Sequence, residues 1–355
     1  MSSQPVPIAI IGGGIFVKEQ HLPAVLATSL LHLKIIYSRS LASAKETHKL
    51  LPLGHSPVEV YSEDSEPGRT FADVLARKDI LGVIIALPIA SQPSYVEAAL
   101  KAGKHVLSEK PVGPDVEGAK KLVQAYRAVV KEQGVSAPMW SIAEQFRFLP
   151  KFVWAAEQAR GLGKVIGFHF KVFQLCKEDN KYFQTAWRKN PTHSYGFLLD
   201  GGVHSTAAIR MFLGDEKPAS VVGYSFLAQK HLAPVDTLGA IIKTKSGAVG
   251  SFSCSWGTTI PRQAEYQVAC ENGSVTIDGD KGWVVYKDGR KEEKDFPFTV
   301  GAGVREEVHA WGLAMAGGKE DPLLTPEVTL GDLELLEQML KSADEDGAAK
   351  TLQLQ

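Results

Sequence analysis

Five short apolar runs in the first 143 residues, separated by stretches of helical spacing, constrain this fold most. Pro7-Ile8-Ala9-Ile10-Ile11-Gly12 reads as a buried strand ending in glycine, and residues 33–38, 82–88, 104–108 and 138–143 read as its successors. Between them, residues 42–51, 95–102 and 116–133 carry apolar side chains at helical spacing. Strands that are apolar at nearly every position need cover on both faces, and strand–helix alternation supplies it by building a parallel sheet. Residues 1–143 are therefore expected to form a Rossmann-type, doubly wound α/β domain.

The pattern changes after Pro150. One helix, 151–160, is followed by runs that alternate as strands with one wet face do: 164–173, 220–228, 238–243 and 248–256. Ser246-Gly247, Asn272-Gly273 and Asp288-Gly289 fall between such runs and signal hairpins. Residues 144–355 are read as an α+β domain on an open, largely antiparallel sheet of five or six strands. A closing helix, 330–343, packs on that sheet or returns to the first domain. So few helices leave one sheet face bare, which predicts a homodimer or higher homo-oligomer formed through the C-terminal sheet. Residues 62–69 and 344–355 are expected to be flexible.

A length of 355 residues suits two domains, and a net charge of −1 gives no electrostatic reason to bind nucleic acid or an anionic membrane. No apolar run reaches membrane-spanning length, so the expected partners are a small-molecule substrate and further copies of the chain. Cys176, Cys254 and Cys270 are odd in number and form no CxxC pair. They suggest a reducing compartment and no zinc site. No signal peptide is read at the N-terminus, and the expected location is cytoplasmic.

The chemistry begins at Gly12-Gly13-Gly14-Ile15-Phe16-Val17, between a strand and a helix. That context is the one a dinucleotide fingerprint requires: Gly12 permits the turn, Gly14 admits the pyrophosphate, and the helix start offers N–H groups to it. Val17 stands where the third glycine would be, so the helix is expected to sit farther from the strand. The second strand ends Tyr37-Ser38-Arg39-Ser40, with no acid before Glu46. An NAD site places a carboxylate there for the ribose 2′-OH; Ser38 and Arg39 instead suit the 2′-phosphate of NADP(H). A solvent-facing arginine in a polar turn is the plainer alternative. Leu87-Pro88 and Gln92 lie at the same ligand-binding edge, Gln92 either as a cofactor contact or as a polar residue starting a helix.

Glu109-Lys110-Pro111 directly follows an apolar strand at that edge. An ammonium there can polarise a carbonyl or stabilise an alkoxide. Asp200-Gly201-Gly202-Val203-His204 opens a helical pattern that runs to Leu213, so Asp200 and His204 share a face. They read either as an N-cap and a packed imidazole, or as a carboxylate supporting a proton carrier. No His, Cys or Asp cluster has metal-ligand spacing.

With Gly12-Gly13-Gly14-Ile15-Phe16 before His21-Leu22-Pro23, then Glu109-Lys110-Pro111, Arg147-Phe148-Leu149-Pro150, Trp187-Arg188 and Gly196 to His204, the chain resembles the glucose–fructose oxidoreductase/inositol dehydrogenase (Gfo/Idh/MocA) family, in particular its yeast-type NADP(H)-dependent oxidoreductases. The resemblance covers nearly the whole chain. It implies that Lys110 orients substrate and cofactor, that Asp200 and His204 complete the acid–base set, and that Trp187 and Arg188 approach the nicotinamide end. Two departures stand out: Val17, and Gln92 or a neighbour where many relatives carry histidine.

The reading that follows is an NADP(H)-dependent oxidoreductase acting on an aldehyde, ketone or sugar-like carbonyl, or on the corresponding alcohol. The alternatives are a catalytically silent NADP-sensing regulator, against which intact Lys110, Asp200 and His204 argue, and a redox-neutral enzyme that retains its cofactor.

Overall fold

The computed structural model describes residues 4–65 and 67–355. The chain opens with β1 (Val6–Ile11), whose Ile8, Ala9, Ile10 and Ile11 are all completely buried. Past the glycine turn comes a π-helical turn, Val17–His21, running into α1 (Leu22–Ala27). The alternation continues with β2 (Leu31–Ser38), α2 (Leu41–His48), β3 (Glu59–Ser62), α3 (Phe71–Ala76), β4 (Gly82–Ile85), α4 (Gln92–Lys101), β5 (His105–Glu109), α5 (Val116–Gln133) and β6 (Trp140–Ala143). Helix starts follow local chemistry: Asp115 accepts from the Gly118 amide to cap α5, and Thr70 and Asp73 form a capping box on α3.

These six strands are all parallel, in the order β3-β2-β1-β4-β5-β6. That is the doubly wound order expected from the apolar runs. Two elements escaped the sequence reading. Strand β3 is four residues long at the sheet edge, and Glu59 and Ser62 disguise it; α3 is a six-residue helix.

The second half holds α6 (Pro150–Gly161), β7 (Val165–Phe173), the short α7 (Ala186–Lys189), α8 (Gly196–Leu213), β8 (Pro218–Phe226), β9 (Thr237–Thr244), β10 (Val249–Ser255), β11 (Gln263–Cys270), β12 (Gly273–Asp278), β13 (Lys281–Tyr286) and β14 (Lys291–Asp295). Helices α9 (Val304–Gly317) and α10 (Pro326–Asp344) and the two-residue β15 (Lys350–Thr351) complete it. The sheet has nine strands, order β14-β13-β12-β11-β7-β10-β9-β8-β15, antiparallel except between β7 and β10. Nine strands correct the expected five or six. The excess comes from the β12–β14 meander, read in the sequence only as turns, and from β15. All three hairpin turns fall where the glycines place them, with Gly247 and Gly289 at φ +97° and +87°.

Two compact units result: Met1–Gln145 with Gly301–Thr329, and Phe146–Val300 with Leu330–Gln355. The segment that rejoins the first unit carries α9 and not the final helix. In that unit α9 packs on the π turn, α1, β1 and β6, burying Val308 and Trp311 completely. Most of α10 stays in the second unit, where Leu333, Leu335 and Leu336 are fully buried.

The chain's end is not flexible. Thr351 pairs with Ser220 and Lys350 with Val221, and the buried Glu334 carboxylate accepts from the Gln353 and Leu354 amides at 2.8 and 2.7 Å. Within 62–69, Glu63 and Asp64 are likewise engaged, while Glu66 lies outside the described residues. Among the described residues no helix is long and apolar enough to cross a membrane.

Candidate active site

In the first unit, Gly12 takes φ +136°, and a Cβ there would stand 2.4 Å from the Ala86 carbonyl oxygen. Only glycine allows β1 and the end of β4 to approach so closely. A Cβ at Gly14 would meet nothing within 4 Å, so the backbone is open to a pyrophosphate on that side. Ile15 and Phe16 begin the helix, and Val17, at the third fingerprint position, is fully buried. From Val17 the chain winds into a π turn, closed by the Leu22 amide on the Val17 carbonyl.

Ser38 ends β2, nearly buried, and its Oγ lies 3.1 Å from where a Gly13 Cβ would be. Arg39 follows, exposed and without an ion-pair partner among the described residues. β2 ends without an acid, yet two carboxylates arrive from the loop after β3, which reading along β2 alone does not show. Glu63 accepts from the Tyr37 hydroxyl at 2.7 Å and the Phe71 amide at 3.0 Å; Asp64 accepts from the Leu41 amide at 2.6 Å. Hydrogen bonds from Ser62 and Leu41 hold the Asp64 carboxyl below the usual carboxylate range.

Leu87 and Pro88 lie half-buried just past β4. Pro88 accepts from the Ser91 and Gln92 amides, which starts α4. Gln92 is buried, and its side-chain amide donates to the Glu109 carbonyl at 2.5 Å and the Pro111 carbonyl at 3.5 Å. It therefore clamps the turn that carries Lys110. From the other side the Glu109 carboxylate meets His21 Nε2 at 2.7 Å, and the His21 ring sits edge-on to Phe16, centroids 5.3 Å apart. The glycine turn, the start of α4 and the Glu109-Lys110-Pro111 turn are thus one connected cluster. His21 was not assigned a role from the sequence; its signal was its place six residues before α1 ends, directly ahead of Leu22-Pro23.

In the second unit, Asp200 and His204 lie one helical turn apart on α8. Asp200 is nearly buried and is not the N-cap, a position taken by Tyr195 at φ 64°. Its Oδ2 accepts from Arg188 Nε at 2.7 Å. The Arg188 guanidinium also lies over the Trp187 ring at 4.0 Å and near the Tyr182 ring at 5.7 Å. Arg188, placed by resemblance near the cofactor, is thus a residue that holds Asp200. His204, half-buried, stacks on Phe146 with centroids 4.7 Å apart and planes at 20°. The glycines between them allow close packing: a Cβ at Gly201 would sit 2.6 Å from the Trp256 ring.

All three cysteines are buried, and burial pushes the Cys176 and Cys270 thiols up to about 11, so neither is a nucleophile at neutral pH.

Comparison with known proteins places the chain among known families. Residues 6–135 match a family model described as an oxidoreductase family with an NAD-binding Rossmann fold, and residues 155–276 match the GFO/IDH/MocA C-terminal domain. Dehydrogenase FPY6 of Fusarium mangiferae is 36% identical over 99% of this chain and 100% of its own length. An inositol 2-dehydrogenase of Arthrobacter is 28% identical over 67% of this chain and 68% of its own. The crystal structure of an oxidoreductase from Thermotoga maritima superimposes with a TM-score of 0.83, at 28% identity and 98% coverage of both chains. A Rossmann sheet, a glycine turn open at Gly14, a clamped Lys110 turn and an Asp200–His204 helix, together with these matches, place the chain in the GFO/IDH/MocA oxidoreductase family.

Proposed function

We propose that this chain is an NADP(H)-dependent oxidoreductase that transfers a hydride between the nicotinamide and a small carbonyl or alcohol, of sugar-like or cyclic-polyol type. The observation that carries the reading is the double clamp on the Lys110 turn, by Gln92 and by the His21–Glu109 pair. A surface lysine needs no such support. Inositol 2-dehydrogenase among the relatives supports the substrate class, since its named substrate is a cyclic polyol.

In this reading Gly12, Gly14, Ile15 and Phe16 receive the pyrophosphate, Leu87, Pro88 and Glu109 line the cofactor's path, and Trp187 flanks its nicotinamide end. Ser38 and Arg39 take the 2′-phosphate. The open backbone at Gly14 and the exposed guanidinium of Arg39 fit such a ligand. Bound NADP(H) supplies or accepts the hydride. Lys110 holds the substrate oxygen and meets the charge that develops on it. His204 gives that oxygen a proton in reduction and removes one in oxidation, with its ring plane fixed by Phe146. Asp200, held by Arg188, lies one helical turn before His204 and supports it from the same face of α8.

Cofactor choice is tested by fluorescence titration with NADPH and NADH. Arg39→Ala is expected to weaken NADPH binding about 10–100-fold, the worth of a charge-assisted phosphate contact, and to leave NADH binding within about twofold. A wild-type preference for NADH would refute the phosphate assignment.

The reading also includes self-association. Ile166, Tyr224, Phe226, Ile241 and Val249 are 51–67% exposed on the adjacent strands β7, β10, β9 and β8 of the second unit, apolar surface that a second copy would cover. Three buried, unbridged cysteines suit work in the cytosol.

A further inference from the structure

Helix α9 brings a carboxyl group into the interior of the first unit for which the proposed chemistry has no use. Glu307 is completely buried, and neither of its side-chain oxygens has a hydrogen-bond partner. Leaving a carboxylate so placed is costly, because a buried charge needs pairing or neutralisation. Its surroundings make ionisation worse. Glu109, Glu144 and Glu306 all bear on it with the same sign, and burial together with these neighbours holds its carboxyl well above the usual range.

The elements against α9 can be read for charge. β1 (VPIAII), α1 (LPAVLA) and β4 (GVII), whose Gly82 meets Trp311 and Met315, bring no titratable side chain; β2, whose Leu31 meets Gly312, carries His32 and Lys34, both part-exposed. β6 brings none, and Glu144 follows it; a Cβ on Gly303, at the start of α9, would stand 2.6 Å from the Gln145 carbonyl, which fixes that approach. The π turn brings His21 inward, while Lys18 pairs with Glu46 and Glu19 faces solvent. On α9 itself Arg305, Glu306 and His309 are exposed.

His21 is a base in this interior, itself completely buried. Its Nε2 is on Glu109, and its Nδ1 has no hydrogen-bond partner. When Nε2 carries the proton toward the Glu109 carboxylate, Nδ1 is an acceptor. A neutral Glu307 is a donor. The two unmet requirements are complementary.

We propose that Glu307 is a positioning residue for Lys110: through one bridging water it keeps a proton for His21 Nδ1, in an acid–water–imidazole–carboxylate relay that ends on Glu109 and steadies the adjoining Lys110 turn. The relay links α9, the π turn and the end of β5. No bond other than these hydrogen bonds forms or breaks, and the net proton count is constant.

This inference rests on Lys110 acting as proposed above, but one of its tests does not. An acid whose pKa is raised by folding holds a proton that the unfolded chain gives up. Its contribution is fully present below the ordinary carboxyl value of 4.5 and is lost as pH rises toward the folded value. With the full-length protein, the wild-type Tm is expected to fall relative to that of Glu307→Gln as pH is raised from about 5 to 9, the two converging at the acid end. Equal Tm–pH slopes would overturn the relay whether or not the protein turns over a substrate.

The second test reads positioning. Glu307→Leu removes the donor and is expected to lower kcat about tenfold with KM within about twofold, whereas Glu307→Gln recovers most of that loss. On a Lys110→Ala background the leucine change should cost less than about twofold, because the effect travels through Lys110. A full tenfold loss on that background, or glutamine as damaging as leucine, would reduce Glu307 to a packing residue.

Discussion

At the scale of single residues, the side chains assigned to chemistry are each held by a neighbour the sequence did not name for that task. Arg188 is the clearest case: its distance of 2.7 Å to Asp200, and its place over the Trp187 ring, make it a support for the proposed acid–base pair. Arg188→Ala should therefore lower kcat about tenfold while leaving NADPH affinity within about threefold, a split that steady-state kinetics and titration resolve. If affinity fell more than kcat, Arg188 would be a cofactor ligand instead. Asp200 and His204 were legible because a spacing of four fixes a shared helix face whatever the surroundings. Gln92 read as a cofactor contact or a helix-starting polar residue: that its amide would be spent on the carbonyls of Glu109 and Pro111 depends on β5 and α4 lying together, which no local pattern states.

At the scale of elements, packing explains both the successes and the misses. The parallel strands declared themselves because burial on two faces leaves apolar residues at every position, as in Ile8 to Ile11. β3 did not, since an edge strand with Glu59 and Ser62 satisfies no such pattern. The tail misled for a related reason: Asp344 to Lys350 is polar, and its order comes from Glu334, a buried carboxylate in α10 that receives the last amides. Glu334→Ala leaves those amides unmet and is expected to cost about 2–3 kcal/mol, with amide exchange rising first in residues 350–355. Unchanged protection there would show that Leu352 alone anchors the end. In α8, Gly201→Ala drives a methyl into the Trp256 ring and should cost about 1–3 kcal/mol in chemical denaturation.

For the whole molecule, the sequence divides into two units near residue 145, but the return of Gly301–Thr329 to the first unit was not readable. α9 mixes Arg305, Glu306, Glu307 and His309 with apolar residues, and nothing local says which core will take it. The bare face of the nine-stranded sheet bears on assembly. Ile241→Asp is expected to shift the sedimentation profile toward monomer at unchanged far-ultraviolet dichroism, whereas a wild-type chain already monomeric at micromolar concentration would refute self-association.

The central claim is a hydride transfer served by Lys110 and His204. It is tested most directly by incubating the protein with NADPH carrying deuterium at the nicotinamide C4 position and a panel of ketones, aldehydes and cyclic sugars, then locating the label by mass spectrometry. The account predicts deuterium on the carbinol carbon of at least one product, with the rate lowered about 10²–10³-fold by Lys110→Ala or His204→Ala. Tight NADPH binding with no label transferred, or transfer undiminished in both variants, would contradict it.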